Sequence, residues 1–168
     1  MPLAKMERCA YLDIETTSLI TSDGELTIIG LYLDEGRRGR LIQLVGEEIS
    51  PVKLDEIMEE VKILYSYNGE RFDLPYIRAK LGVDLAERRV HRDLMYDCWR
   101  RNLYGGLKEV ERKLGIARES AGIDGRVAAQ LWLSYKYYGD ARFLRTLLDY
   151  NREDVLNLKA LRMKLRVR

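Results

Sequence analysis

Three apolar runs follow one another between residues 9 and 45, and no other feature limits the fold so strongly. Residues 9–14 (CAYLDI) read as a buried strand, 26–33 (LTIIGLYL) as a second and 40–45 (RLIQLV) as a third. The charged, glycine-containing DEGRRG between the last two predicts a hairpin. Ser50-Pro51 then opens a helix, a cap residue followed by proline at the first helical position, with Leu54, Ile57, Met58 and Val61 on one face. Residues 62–67 (KILYSY) predict a short buried strand, 73–81 a helix and 90–94 a further strand. The remainder reads as helical, over about 106–114, 124–138 and 140–165. In the second of these, Val127, Ala128, Leu131, Trp132, Tyr135 and Tyr138 form a stripe of helical period. A three-strand meander, then alternating helices and strands, then helices, predicts a mixed sheet covered by helices in an α/β domain.

The 168 residues are enough for one domain with a substantial core, taken as residues 1–168. No apolar run approaches the length of a membrane span. The opening MPLAKMERCAYLDIE lacks an apolar signal region, which predicts a cytoplasmic protein. Cys9 and Cys98 have neither metal-ligand nor redox spacing and are expected to be free thiols. The net charge of +2 hides clusters at Arg37, Arg38 and Arg40, at Arg88, Arg89 and Arg92, at Arg100 and Arg101, and in the closing RMKLRVR. Each cluster is consistent with a solvated surface. A nucleic-acid enzyme would also place positive charge around an acidic centre to offset phosphate repulsion.

Asp13 and Glu15 are two apart on a strand and emerge on one face. Two like charges buried together need a compensating cation, whereas at a strand end they would simply face water. Tyr150 and Asp154 are four apart on a helix, on the stripe that carries Leu147, Leu158 and Leu161. An acid on an apolar stripe needs a partner: a metal ion, an arginine or a backbone group that it caps. Asp73 follows a buried strand and opens FDLPYIRAKLG, where it is expected to be the N-cap. Asp93 is expected to cap the helix LMYDCWRR, and His91 to be a surface or supporting residue. Trp132, Tyr135 and Tyr138 would stack bases or, at their helical spacing, belong to the core.

Taken together, YLDIETTSL with Asp13 and Glu15, YNGERFDLPYI with Asn68, Phe72 and Asp73, and LLDYNREDVLNL with Tyr150 and Asp154 resemble the DEDD superfamily of 3′–5′ exonucleases. The resemblance covers essentially the whole chain. Tyrosine four residues before the last Asp is similar to the DEDDy branch, and GGLKEVERKLGI resembles that family's helix after the fifth strand. The resemblance implies a ribonuclease H-like fold whose five-stranded mixed sheet has its first strand central, the meander on one side and parallel strands on the other. It also implies two divalent ions, Mg²⁺ or Mn²⁺, with Asp13 shared between them. Glu15 and Asp154 would hold one ion, Asp73 would hold the other, and Tyr150 would orient the attacking water. Thr16, Thr17, Leu19, Asn68 and Phe72 would lie near the terminal nucleotide. For Thr16 and Thr17 a capped turn, and for Asn68 closure of a strand–helix turn, are the competing readings. Tyr67-Asn68 departs from the His-Asn of many relatives, which would change local hydrogen bonding.

The activity implied is removal of mononucleotides from the 3′ end of single-stranded nucleic acid, DNA favoured over RNA, with any polymerase or repair partner acting in trans. A non-catalytic ribonuclease H-like module that binds nucleic acid or a protein partner is the alternative from another class. Four intact acids argue against it, because a binding module has no use for their mutual repulsion.

Overall fold

The computed structural model describes residues 8–36 and 38–167, so Arg37, Arg168 and the reading of the opening seven residues lie outside the described residues. Five strands, β1 (Cys9–Thr16), β2 (Leu26–Asp34), β3 (Gly39–Val45), β4 (Ile63–Ser66) and β5 (Val90–Asp93), form one sheet in the order β3-β2-β1-β4-β5. β1 with β2 and β2 with β3 are antiparallel, whereas β1 with β4 and β4 with β5 are parallel. This is the mixed sheet of a ribonuclease H-like fold, with β1 at its centre as expected. The helices are α1 (Pro51–Met58), α2 (Asp73–Leu81), α3 (Leu94–Trp99), α4 (Leu107–Leu114), α5 (Gly125–Tyr138) and α6 (Ala141–Leu165). Parallel neighbours cannot be joined by a tight turn, so α2 carries the chain from β4 across to β5.

The alternation of side chains along β1 assigns the two faces of the sheet. Ala10, Leu12 and Ile14 enter a core with Leu54 and Met58 of α1 and Tyr76 and Ile77 of α2. Cys9 and Tyr11 enter the opposite core, with Leu94 and Cys98 of α3 and Val155, Leu158 and Leu161 of α6. Asp13 and Glu15 share the parity of Cys9 and Tyr11, so the strand delivers them to the α6 face. Both cysteines are buried and free.

Local signals set most of the boundaries. Ser50 caps α1 by accepting from the Lys53 amide at 3.2 Å, with Pro51 behind it. Three expectations need correction. β1 runs on to Thr16 rather than stopping near 14, because Glu15 still pairs with Ile28 of β2; the two acids therefore lie inside the strand. Asp73 is not the N-cap of α2: Phe72 holds that position, and the Asp73 carboxylate instead accepts from the Ile14 amide of β1 at 3.2 Å. Tyr138 leaves the α5 stripe. Ala128 and Trp132 are buried, but Tyr138 closes the last turn in solvent, its ring beside those of Tyr137 and Phe143.

Candidate active site

Helix α6 lies across the face of the sheet that carries the acids of β1, with Tyr150, Asn151 and Asp154 buried on its inner side. Carboxylate oxygens of Asp13, Glu15 and Asp154 all lie within 4.8 Å of one another. Glu15 and Asp154 are buried, and Asp13 is half-buried at the edge of a cleft. Asp73 reaches the same region from α2 but stands beside this group of three, held by its bond to Ile14.

Asn151 fastens helix to strand. Its amide nitrogen donates to the Asp13 carboxylate at 3.0 Å and to the Asp13 carbonyl at 3.3 Å. Its oxygen accepts from Gln43 of β3 at 3.0 Å. Asn151 is absent from the residues the motifs single out, although its place one residue after Tyr150 and three before Asp154 puts it on the same side of the helix.

Burial, and then repulsion from Asp154, Glu15 and Asp73, raise the Asp13 pKa well above the carboxylate range. Glu15 rises for the same first reason, with Asp154 the largest charge acting on it. Asp73 is pushed up to about 7, chiefly by burial, although backbone amides oppose the rise. Asp154 also rises through burial, and Arg118 opposes it. Unfolded carboxylates titrate near 4. Between that value and the raised folded values the folded chain holds protons that the unfolded chain has released. The stabilisation is therefore full at low pH and is lost as pH climbs. Metal-free protein is expected to melt at progressively lower temperature from about pH 5 to about pH 8. Differential scanning calorimetry in EDTA tests this, and a flat or rising profile would contradict it.

Two cations border the acids, and the sequence reading singled out neither. Lys108 of α4 places its Nζ 4.6 Å from the centroid of the Tyr150 ring and donates to the Ile123 carbonyl. Arg118, in the segment between α4 and α5, donates to Asp154. It also makes a two-pronged pair with Glu111 at 2.7 and 2.9 Å. The signal that could have found them lay in GGLKEVERKLGI, where Val110 and Glu111 are both buried: an acid beside an apolar core position asks for a partner.

The substrate candidates divide. Asn68 lines a cleft of about 460 Å³ with Asp13, Lys108, Tyr150 and Asp154. Its backbone also closes the turn between β4 and α2, at a left-handed φ of 60° that asparagine tolerates. Asp93 holds that turn, accepting from the amides of Asn68 at 2.8 Å and Glu70 at 3.1 Å while capping α3 through Met95 at 3.0 Å. Thr16 and Thr17 spend their hydroxyls on the turn after β1, donating to the Ser18 carbonyl at 2.9 Å and accepting from the Glu25 amide at 2.8 Å. Leu19 projects from that turn, 81% exposed. The Phe72 ring packs on Tyr76, 5.5 Å between centroids, away from the residues lining the cleft. Tyr67 lines the cleft and donates to the Gly105 carbonyl at 2.6 Å, tying down a cleft-wall loop. His91 bonds Ser66 at 2.8 Å and supports β4 from β5.

The donor set fits hard divalent cations, which take oxygen ligands. One atom states the requirement most sharply: Glu15 Oε1 is buried and has no hydrogen-bond partner among the described residues. Ionising that carboxyl out of water is costly, which is why it holds its proton more tightly than a free one, and a bound cation would relieve the cost.

A mixed sheet in this order, with acids from its central strand facing the last helix, defines a ribonuclease H-like protein. The chain belongs to the RNase_H superfamily, whose model matches residues 10–166. No curated protein matches it. Among solved structures it is similar to the family B DNA polymerase from the hyperthermophilic archaeon Pyrobaculum calidifontis, at 21% identity and a TM-score of 0.71, over 95% of this chain but only 24% of the polymerase. It is also similar to the apo form of a nuclease, at 19% identity and a TM-score of 0.61, over 95% of this chain and 72% of that one. Brucella melitensis NrnC with bound Mg²⁺ aligns at 16% identity and a TM-score of 0.51, over 99% and 89% of the two chains. At these identities the likeness is one of fold. No helix of the described residues is long and apolar enough to cross a membrane.

Proposed function

We propose that this protein is a metal-dependent 3′–5′ exonuclease of the DEDDy kind, hydrolysing phosphodiester bonds at the 3′ end of single-stranded DNA or RNA. The observation that carries the reading is the buried Glu15 oxygen, without a hydrogen-bond partner among the described residues, in a cluster with Asp13 and Asp154. Asp13, Glu15 and Asp154 would hold Mg²⁺ or Mn²⁺, with Asp73 completing a second position. Bound there, a pair of divalent ions supplies activation of the nucleophile and charge stabilisation at the leaving oxygen.

The chain's own groups do the rest. Burial first, and then the nearby carboxylates, raise the Tyr150 pKa far above its ordinary value. The phenol therefore keeps its proton and cannot act as a base. It donates a hydrogen bond instead, and so orients the attacking water. Lys108, on the cleft wall, offsets the repulsion between the acids and an incoming phosphate. Asn68, on the same wall, is placed to meet the terminal nucleotide. NrnC in its Mg²⁺-bound structure supports the choice of ion.

The test is a 5′-labelled single-stranded DNA and a matched RNA incubated with Mg²⁺, Mn²⁺ or EDTA. A metal-dependent ladder shortening from the 3′ end is expected, and the faster sugar names the substrate class. No cleavage of either strand under any of these conditions would sink the proposal. Tyr150→Phe is expected to slow hydrolysis by roughly 10²-fold, in line with loss of one positioning hydrogen bond. Mn²⁺ affinity measured by calorimetric titration should stay unchanged in that variant. Wild-type turnover would remove Tyr150 from the mechanism.

A further inference from the structure

We infer that Arg118 is the protein's own counter-cation for the acidic cluster. It occupies the charge-compensating place at Asp154 whenever divalent metal is absent, and it weakens metal binding when metal is present. This rests on the reading of the cluster as a divalent-cation site.

The geometry is specific. The Arg118 side chain is 12% exposed, and its guanidinium is shared among acids from two helices. One edge is fixed by Glu111 of α4, itself buried, through paired bonds at 2.7 and 2.9 Å. A second contact reaches a single oxygen of Asp154, Oδ1, on α6. Glu153 lies 3.5 Å from the same guanidinium and also accepts from the Ser120 amide at 3.0 Å, holding the segment that carries Arg118 against α6. Planar and always charged, the guanidinium suits such a buried, forked site better than an ammonium does.

Glu111 alone would make Arg118 an ordinary buried ion pair. The contact to Asp154 makes it more, because Asp154 also belongs to the cluster in which Asp13, Glu15 and Asp154 face one another. A chain that folds before it meets metal must tolerate that repulsion, and a fixed positive charge on one member lowers the cost. The same charge repels an arriving divalent ion. Arg118 thus lowers metal affinity in exchange for a metal-free state that stays folded. The link between α4 and α6 made by Glu111–Arg118–Asp154 also keeps Asp154 aimed before metal arrives, so Arg118 is a positioning residue.

The experiment compares melting temperature in EDTA and in saturating Mn²⁺ for wild type, Arg118→Gln and the double variant Glu111→Gln/Arg118→Gln. The double variant removes the buried partner together with the arginine, so no orphaned Glu111 confuses the result. Wild type should be stabilised by Mn²⁺; if it is not, the cation-site reading itself fails. In both variants the melting temperature in EDTA should fall by about 8 °C, and Mn²⁺ should recover most of that loss. Calorimetric titration should show Mn²⁺ binding to the double variant about tenfold more tightly than to wild type. A deficit of equal size in EDTA and in Mn²⁺, with unchanged affinity, would reduce Arg118 to a structural ion pair and overturn the inference. Failure of both variants to fold even with Mn²⁺ would overturn it too, since the ion would then not replace the guanidinium.

Discussion

Asp13→Asn is expected to cut exonuclease turnover by on the order of a thousandfold or more while leaving the metal-free protein as stable as wild type or more so. The two halves of this result share one cause. Asp13 lies among Glu15, Asp73 and Asp154, all of which act on its charge after burial has done so. Neutralising it removes a repulsive member, which relieves the folded state in EDTA. It also removes the proposed ligand that β1 presents at the edge of the cleft, which would disable metal binding. The substitution is chosen so that the fold should survive, because the asparagine oxygen still accepts the bond that Asn151 gives the Asp13 carboxylate at 3.0 Å. Labelled-strand assays with Mg²⁺ and Mn²⁺ and a melting curve in EDTA read the two halves separately. Full activity would end the assignment of Asp13, and a large drop in EDTA stability would mean that its charge is satisfied by the protein after all.

The largest effect on stability is expected at Gly30, a position far from any motif. Gly30 faces Asp13 across the β1–β2 ladder. A Cβ placed there would stand 2.2 Å from the Asn151 oxygen and 2.8 Å from a Val155 methyl, both on α6. Neither neighbour is free to yield. Asn151 is fully buried and held by Gln43 at 3.0 Å, and Val155 is fully buried in the core beneath the helix. Gly30→Ala must therefore lift α6 from the sheet, at a cost of about 3 kcal/mol. The same movement would carry Tyr150 and Asp154 away from Asp13 and Glu15. Stability in urea and Mn²⁺ affinity should fall together, and a variant with near-wild-type values of both would show that the helix has slack at this point.

The sheet was readable from the chain because its signals are local. Three apolar runs and a charged turn predict the meander. Ser50-Pro51 predicts the start of α1, and alternating parity puts Asp13 and Glu15 on one side of β1. The stripe through Leu147, Leu158 and Leu161 likewise turns Tyr150 and Asp154 inward. At Asp73 a long-range contact takes over from a local one. Asp73 has the sequence context of a helix cap, yet its carboxylate is claimed by an amide 59 positions away in β1. Tyr138 keeps the helical period of α5 but stands in solvent, its ring beside Tyr137 and Phe143.

From the sequence by itself came the class of fold and the shared faces of Asp13 with Glu15 and of Tyr150 with Asp154, because strand parity and helical spacing are properties of neighbouring residues; the resemblance to the DEDD exonucleases is what joined these acids into one set. Only the tertiary structure decided how close those acids stand, which of their oxygens lacks a partner, and which cations stand against them. Asn151, Arg118 and Gly30 matter through contacts made across 36 to 138 positions of chain. Interactions at that range leave no periodicity to read, since the partners are brought together by the packing of α6 on the sheet and by nothing in either segment alone.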